Sequence, residues 1–393
     1  MDSILSGVKI VDLSRFIAGP YCTQLLADMG AEVIKVEPLD GEHGRRESPF
    51  WQGESLYYLI FNRNKKSVSL NLRTPEGKEI LARLVQRCDV VVENFRPGVL
   101  ERIGFGYERL KALRSDIILV SISGFGQEGP YAQKPCFDFI AQAMGGLMHM
   151  TGWPDGPPTL VGTFIVDYTT AVHAALGTLG ALYHRQATGE GQVVDVALFD
   201  VVTSLLRTYP LEYLLLNQEP ARVGNRERFC SPANAYPARD GYVFLVATTN
   251  GQWNNLLRAM QREELIDDPR FNTPMARVQQ REVIDSLVGD WIKEQSVAEV
   301  VRILEELSVP CTPVLDIPQV VRHPQFQARQ MLIEVEHPRL GKVPLPGMPI
   351  KFSRTPGTIR SVPPAIGEHN QEVYGGLGYS EEEIAAFQRR GIV

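Results

Sequence analysis

Between residues 8 and 123, short apolar runs rich in valine and isoleucine alternate with stretches of helical character, and no other feature of the chain narrows its fold so far. "VKIVDL" (8–13) reads as a strand, "GPYCTQLLADMG" (19–30) as a helix stopped by Gly30, and "AEVIKVE" (31–37) as a strand again. A βαβ unit of this kind implies parallel strands and a right-handed crossover. "KSVSLNL" (66–72) alternates as a strand, after which Thr74 caps a helix with Pro75 at its first position, running to about Cys88. "DVVVE" (89–93) and "DIILVSIS" (116–123) continue the alternation. Repeated βα units with buried, β-branched strands belong to the α/β class, as an open, doubly wound sheet.

Further along, "DFIAQAMGGLMHM" (138–150) and the segment after Asp167 have helical spacing, and "GQVVDVALFD" (191–200) starts as a strand and runs into a helix. From about residue 225 the character changes: "GYVFLVATT" (241–249), "QWNNLLRAM" (252–260) and helices between 275 and 308 make a second, smaller α/β unit. After 330, "GKVPLPGMPIKFSRTPGTIRSVPPAIGEHN" is rich in proline and glycine and reads as a long irregular connector.

Composition excludes some functions. The 393 residues are 44% hydrophobic and carry a net charge of −6, so nothing in the bulk charge favours nucleic acid or an anionic membrane. No run approaches the roughly 18 uncharged apolar residues of a membrane span. The five cysteines form no CxxC pair, which argues against a disulfide framework or zinc site, and "MDSILSGVKIVDLSR" lacks the basic and apolar regions of a secretory leader. The expectation is a soluble protein of a reducing compartment, the cytoplasm.

Among motifs, "GFGQEG" (124–129) fits GxGxxG, but a dinucleotide site needs a helix to begin there, and "PYAQKP" follows instead. A glycine-rich turn is the reading, without NAD. There is no GxSxG, Walker loop or HExxH, and the seven histidines are dispersed, so no metal is expected. Cations gather near strand ends: Arg63, Lys65, Lys66 and Arg73 flank one strand, Arg96 and Arg102 follow another, Lys134 a third. Ligands of open α/β sheets bind beyond the carboxyl ends of strands, so these cations suit a phosphorylated ligand; a solvated charged rim explains the spacing equally well. Asp167 is the only carboxylate within "GTFIVDYTTAVHAALG" (162–177). It caps a helix starting near Tyr168, and the same geometry lets that helix's N-terminus hold it ionised for chemistry, with Thr170, Ala171 and Ala174 on its face; the two readings are compatible.

The ordered set "LADMGAEVIKVE" (26–37), "SLNLRTPEG" (69–77), "ENFRPG" (93–98), "SISGFGQEGP" (121–130), "DFIAQAMGG" (138–146), "DYTTAVHAALGTLGALYHRQATGEGQVVDVAL" (167–198) and "VPCTPV" (309–314) resembles the class III CoA-transferases, the CaiB/BaiF type, over nearly the whole chain. The resemblance implies that Asp167 is the nucleophile, attacking an acyl-CoA thioester to give a mixed anhydride and then an aspartyl-CoA thioester. Asp138 matches a family carboxylate near the reacting centre. By matched position Phe16, Ile17 and Ala18 lie beside the CoA; Leu70, Asn71, Leu72 and Arg73 border its adenine and phosphates; Asn94, Phe95 and Arg96 lie nearby; and Arg102 and Lys134 are further phosphate candidates. Where some relatives have an arginine after "KVE" this chain has Pro38, so that contact is missing or comes from Arg45 or Arg46.

The resemblance further implies an interlocked-ring homodimer. Each chain would have a Rossmann-like large domain (1–200), a linker helix (201–224), a small α/β domain (225–329) and a linker returning to the large domain (330–393). It implies no prosthetic group and no metal; coenzyme A enters as acyl-CoA substrate, with a small carboxylic acid as acceptor. An α-methylacyl-CoA racemase needs an acid/base histidine where this chain has Phe137. A non-catalytic CoA-binding protein would use Asp167 only as a cap. The oxalate-using formyl-CoA enzymes carry a glycine-rich loop where "TTNGQWNNL" (248–256) has only Gly251, which speaks against formyl-CoA and oxalate; a succinyl-like donor and a small carboxylic or dicarboxylic acceptor are expected from their frequency in the family, not from the residues.

Overall fold

The computed structural model describes residues 3–393. Six strands form the central sheet: β1 (Lys9–Asp12), β2 (Glu32–Glu37), β3 (Lys65–Ser69), β4 (Val90–Glu93), β5 (Ile118–Ser123) and β6 (Val193–Ala197). They are all parallel, in the order β3-β2-β1-β4-β5-β6, with Val11 level with both Ile34 and Val91. The valines and isoleucines of β1, β4 and β5 are buried because helices cover both faces, as a parallel sheet requires. Successive strands first step outward from β1 through β2 to β3, and then resume on its other side at β4. The strand order therefore reverses between β1 and β4, where a crevice opens beyond the strand ends.

On one face lie α1 (Ala18–Asp28) and, further along the chain, a 24-residue helix; on the other, α2 (Pro75–Gln86) and α3 (Tyr107–Leu113). Gly30, at φ +109°, takes the backbone from α1 into β2, and Thr74 Oγ1 accepts from Gly77 N at 3.0 Å to start α2. After β5 no helix begins until α4 (Asp138–Met144). "GFGQEG" is a turn held by Ser123 Oγ accepting from Gly126 N and Asp195 Oδ2 accepting from Gln127 N. The long helix, α5 (Ile165–Thr188), presents Ala171, Ala174 and Ala175 to the α1 residues Cys22 and Leu26; small side chains let the two helices lie close. α6 (Leu198–Ser204) follows β6 directly.

Residues 148–159 and 209–326 form a second compact unit. Its three strands, β7 (Ala233–Ala238), β8 (Gly241–Val246) and β9 (Cys311–Pro313), are antiparallel with β8 central. Helices Asn250–Ala259, Arg281–Ile292 and Val297–Glu306 cover it, burying Trp253, Leu256, Ile284, Val288, Val300 and Leu304. Thr249 with Gln252 and Ser296 with Glu299 form capping boxes that start two of these helices.

Residues 327–393 belong to the first unit. The expected irregular connector is corrected at its start: β10 (Leu332–His337) and β11 (Gly341–Pro346) pair as a hairpin. Alternation of Val343 and Leu345, both buried, outweighs the prolines, which an isolated two-stranded ribbon tolerates. Irregular chain then leads to helices Asn370–Gly376 and Glu381–Arg389. Tyr374, Ile384 and Ile392 join the core under α2 and α3.

Candidate active site

The loops after β1, β4 and β5 enclose a cavity of about 310 Å³ at the point where the strand order reverses. Arg15, Phe16, Ile17 and Ala18 line it from β1, Asn94, Phe95 and Arg96 from β4, and Ala132, Lys134, Cys136 and Phe137 from the segment after β5; Asp167 also lines it.

The first loop is held in an unusual shape. Phe16 has φ +64°, in the left-handed region, and its N–H donates to Glu42 Oε2 at 3.2 Å. Gly19 lies so near Ser14 that a Cβ would sit 2.2 Å from that residue's Cβ. Arg15 N donates to Asn94 Oδ1 at 2.8 Å, and Asn94 Nδ2 returns a bond to Arg15 O at 2.7 Å, which locks the β1 and β4 loops together. Glu93 Oε2 accepts from Phe95 N at 2.8 Å and steadies the second loop.

A buried ionic network lies beneath. Asp12 takes Lys65 Nζ at 3.0 Å and the hydroxyls of Ser14 and Thr23, while Lys35 Nζ donates to Ser14 O at 2.9 Å and faces Glu42 at 3.4 Å. Burial opposes the Asp12 charge, but Lys65 and Lys35 overcome it and hold the carboxyl far below its usual range. These partners fix the strand end from which the Phe16 loop departs.

Asp167 sits in the first turn of α5, one turn ahead of the buried Thr170 and Ala171 and two ahead of Ala174. It is not the cap of that helix, which starts at Ile165 rather than near Tyr168. The capping carboxylate is Asp138, the first residue of α4 and 1% exposed. Its Oδ2 accepts from Val166 N at 2.7 Å and Asp167 N at 3.0 Å, and its Oδ1 accepts from Gln142 Nε2 at 2.5 Å. The expectation that the helix terminus keeps Asp167 ionised is likewise corrected, since Asp138 takes those N–H groups. Burial, and then the Asp138 charge, push the Asp167 carboxyl up to about 7. Asp167 shares its surroundings with Tyr57, whose phenol is pushed up by burial and then by the Asp167 charge. Tyr168 packs edge-on to Tyr21 with ring centres 5.0 Å apart, and Phe61 stands 5.7 Å from Tyr168. Cys136, in the same cavity, is pushed up to about 11 by burial, Asp167 and Asp138, so it stays a thiol.

Three cations line the cavity: Arg15, whose guanidinium lies 5.2 Å over the Phe95 ring, Lys134, 3.7 Å over the Tyr131 ring, and Arg96. Phe137 is 61% exposed and meets Phe16 edge to face at 5.9 Å; no imidazole stands in its place. The other expected binding residues lie outside this lining. Leu70 is core, Asn71 donates through Nδ2 to Gly391 O at 3.1 Å, Leu72 packs against the core, and Arg73 is exposed. Arg102 is exposed at the end of the short helix Val99–Arg102. Arg45 is tied to Glu37 at 2.6 and 2.7 Å and to the Tyr58 hydroxyl, and Arg46 to Asp40. Among the described residues no cluster of three metal-ligating side chains occurs, and no helix is long and apolar enough to cross a membrane.

Arg15, Glu42, Tyr57 and Tyr168 escaped the reading of the sequence. Arg15 had a readable signal, as a cation immediately after the first strand. Glu42 and Tyr57 come from the connection between β2 and β3, whose path no local pattern reveals.

CoA-transferase family III matches residues 5–370. The chain is 40% identical to succinyl-CoA–D-citramalate CoA-transferase of Chloroflexus aurantiacus, over 99% of this chain and 98% of that one. It is 37% identical to formyl-CoA:oxalate CoA-transferase of Streptomyces avermitilis, over the whole of both, and 34% identical to succinyl-CoA:glutarate CoA-transferase of Homo sapiens, over 99% and 90%. The crystal structure of a CAIB/BAIF family protein from Brucella suis superposes with a TM-score of 0.86 at 35% identity, covering 96% of this chain and all of that one.

Proposed function

The chain belongs to CoA-transferase family III, and on that premise we propose that Asp167 is the nucleophile through which it moves CoA from succinyl-CoA to a small dicarboxylic acid. It is a CoA-transferase; the relatives named for succinyl-CoA, with citramalate and glutarate as partners, support this donor and acceptor class. The observation that carries the reading is the setting of Asp167. Its carboxylate faces a cavity with three cations and is pushed up to about 7 by burial and by Asp138.

A carboxylate made more basic is a better nucleophile, and its acylated form carries no charge, so acylation relieves the repulsion from Asp138. The Asp167 oxygen attacks the thioester carbonyl and CoA thiolate leaves, giving a mixed anhydride. Thiolate then attacks the aspartyl carbonyl, releasing succinate and forming the aspartyl-CoA thioester. The acceptor carboxylate attacks the same carbonyl and expels thiolate; thiolate attacks the acceptor's carbonyl in the new anhydride, so the acceptor leaves as its CoA thioester and Asp167 is restored. Asp138 orients the first turn of α5 through its two backbone bonds. The aromatic wall of Tyr21, Phe61 and Tyr168 limits water on that side of Asp167. Ile17 and Ala18, Asn94 and Phe95, and Arg96 and Lys134 receive the CoA; of the remaining expected residues, the exposed Arg73 and Arg102 serve its adenine end outside the cavity.

We further infer a cytoplasmic protein acting as an interlocked homodimer; Val172, Leu176 and Tyr183, exposed along α5, support a second copy covering that helix. Incubation with succinyl-CoA and hydroxylamine is expected to inactivate the enzyme and leave a hydroxamate at Asp167, detected by peptide mass spectrometry. Asp167→Ala neither reacts nor transfers; transfer at the native rate in that variant overturns the proposal.

A further inference from the structure

Most basic side chains around the strand ends already have an acidic partner. Lys65 pairs with Asp12, Arg45 with Glu37, Arg63 with Asp28 and Arg46 with Asp40. Arg15, Arg96 and Lys134 differ. Among the described residues their side chains make no hydrogen bond and no ion pair, and all three line the one cavity that also holds Asp167. Of the three, Arg15 is the most firmly placed, because its backbone is clamped to Asn94 in both directions and its guanidinium lies on the Phe95 ring. Glu42 and Asp40 attract the Arg15 guanidinium from a distance but do not bond to it: Glu42 Oε2 accepts from Phe16 N and Gly44 N and its Oε1 faces Lys35, while Asp40 pairs with Arg46.

A half-buried guanidinium stacked on a ring, with no anion bonded to it, is arranged to receive one. Three such cations against a single carboxylate exceed what one carboxylic acid needs and suit a polyanion. The geometry points to Arg15 as a binding residue for the phosphate groups of coenzyme A, acting with Arg96 and Lys134, in place of Arg45 and Arg46. The inference rests on the reading of this cavity as the CoA site. Arg45 is excluded by its bonds to Glu37 and Tyr58, and Arg46 by its absence from the cavity lining.

Calorimetric titration of the full-length protein with CoA and with pantetheine, which lacks the phosphates, tests it. Arg15→Gln is expected to weaken CoA binding by about 10- to 100-fold, the loss of one charge-assisted contact, and to leave pantetheine binding at the native level. Arg15→Lys is expected to recover part of the CoA affinity. Native CoA affinity in Arg15→Gln overturns the assignment, and so does an equal loss for pantetheine, which would make Arg15 a support for the loop. A loss in Arg46→Gln with none in Arg15→Gln overturns it in favour of the outer arginine. Native protein that binds neither ligand overturns the reading of the cavity itself, an outcome separate from all of these.

Discussion

Asp167 and Asp138 divide between them two tasks that a single carboxylate at a helix start could have combined. Asp138 satisfies the helix N–H groups and is consumed by doing so; Asp167 keeps its oxygens clear and is left uncomfortable as an anion. That discomfort is measurable in stability. The carboxyl ionises at about 7 in the folded chain against an ordinary 3.8 when unfolded. Between those values the native state holds a proton that the unfolded state has released, so stability declines as pH rises from about 4 to about 7 and stays reduced above. Asp167→Asn escapes this loss. It is expected to be more stable than the native protein at pH 8 by about 2 kcal/mol, discounted for the water that reaches the cavity, with the difference gone by pH 4. Denaturant midpoints at the two pH values measure it, and equal midpoints at pH 8 would remove the case for a strained nucleophile. Nothing local in the sequence distinguishes these two aspartates. "FIVDYTT" has the composition of a capped helix start, and the true cap lies 29 residues earlier.

At the scale of elements, the cavity depends on one tight departure from β1. Gly19, in the first turn of α1, lies against Ser14, with room for a hydrogen and none for a methyl group. Gly19→Ala is therefore expected to displace the Phe16 loop while leaving the sheet intact. Overpacking of this kind costs about 1–3 kcal/mol, here expected as a 10- to 100-fold weaker affinity for CoA at an unchanged far-ultraviolet circular dichroism spectrum. Unchanged affinity would show that the loop is not held by this contact. The strands and their flanking helices were legible because each carries its own signal: a valine run at 90–93, an isoleucine- and leucine-bearing run at 118–123, Pro75 behind Thr74, glycine at 30. The hairpin at 332–346 was not, because proline suppresses the strand signal even on a ribbon that needs few of its N–H groups. The resemblance to CoA-transferases picked out Phe16 to Ala18, Asn94 to Arg96, Lys134 and Asp167 along one cavity wall or another, but it could not show that Asn71 is bonded to the tail.

Over the whole molecule, the last residues complete a core begun by the first strands. Asn71 N donates to Ile392 O at 2.8 Å, Tyr374 hydroxyl donates to Ser69 O at 2.7 Å, and Ile392 is 1% exposed beneath α2. Ile392→Ala is expected to cost about 2–4 kcal/mol, read as a lower denaturant midpoint with an unchanged slope; a loss under 1 kcal/mol would mean that the tail merely rests on the surface. No local pattern foretells this closure, since it pairs residues more than 300 positions apart. It also sets an order of events during synthesis. Ribosomes add about 5–20 residues per second, so roughly 13 to 52 s separate the synthesis of Leu113, at the end of α3, from that of Tyr374, and one face of the first unit stays uncovered meanwhile. The unit built on 209–326 has all of its principal segment in hand well before then. The strands and helices of residues 8–113 are thus made before the second unit and sealed after it, and their apolar face under α2 and α3 is what a chaperone would meet on the nascent chain.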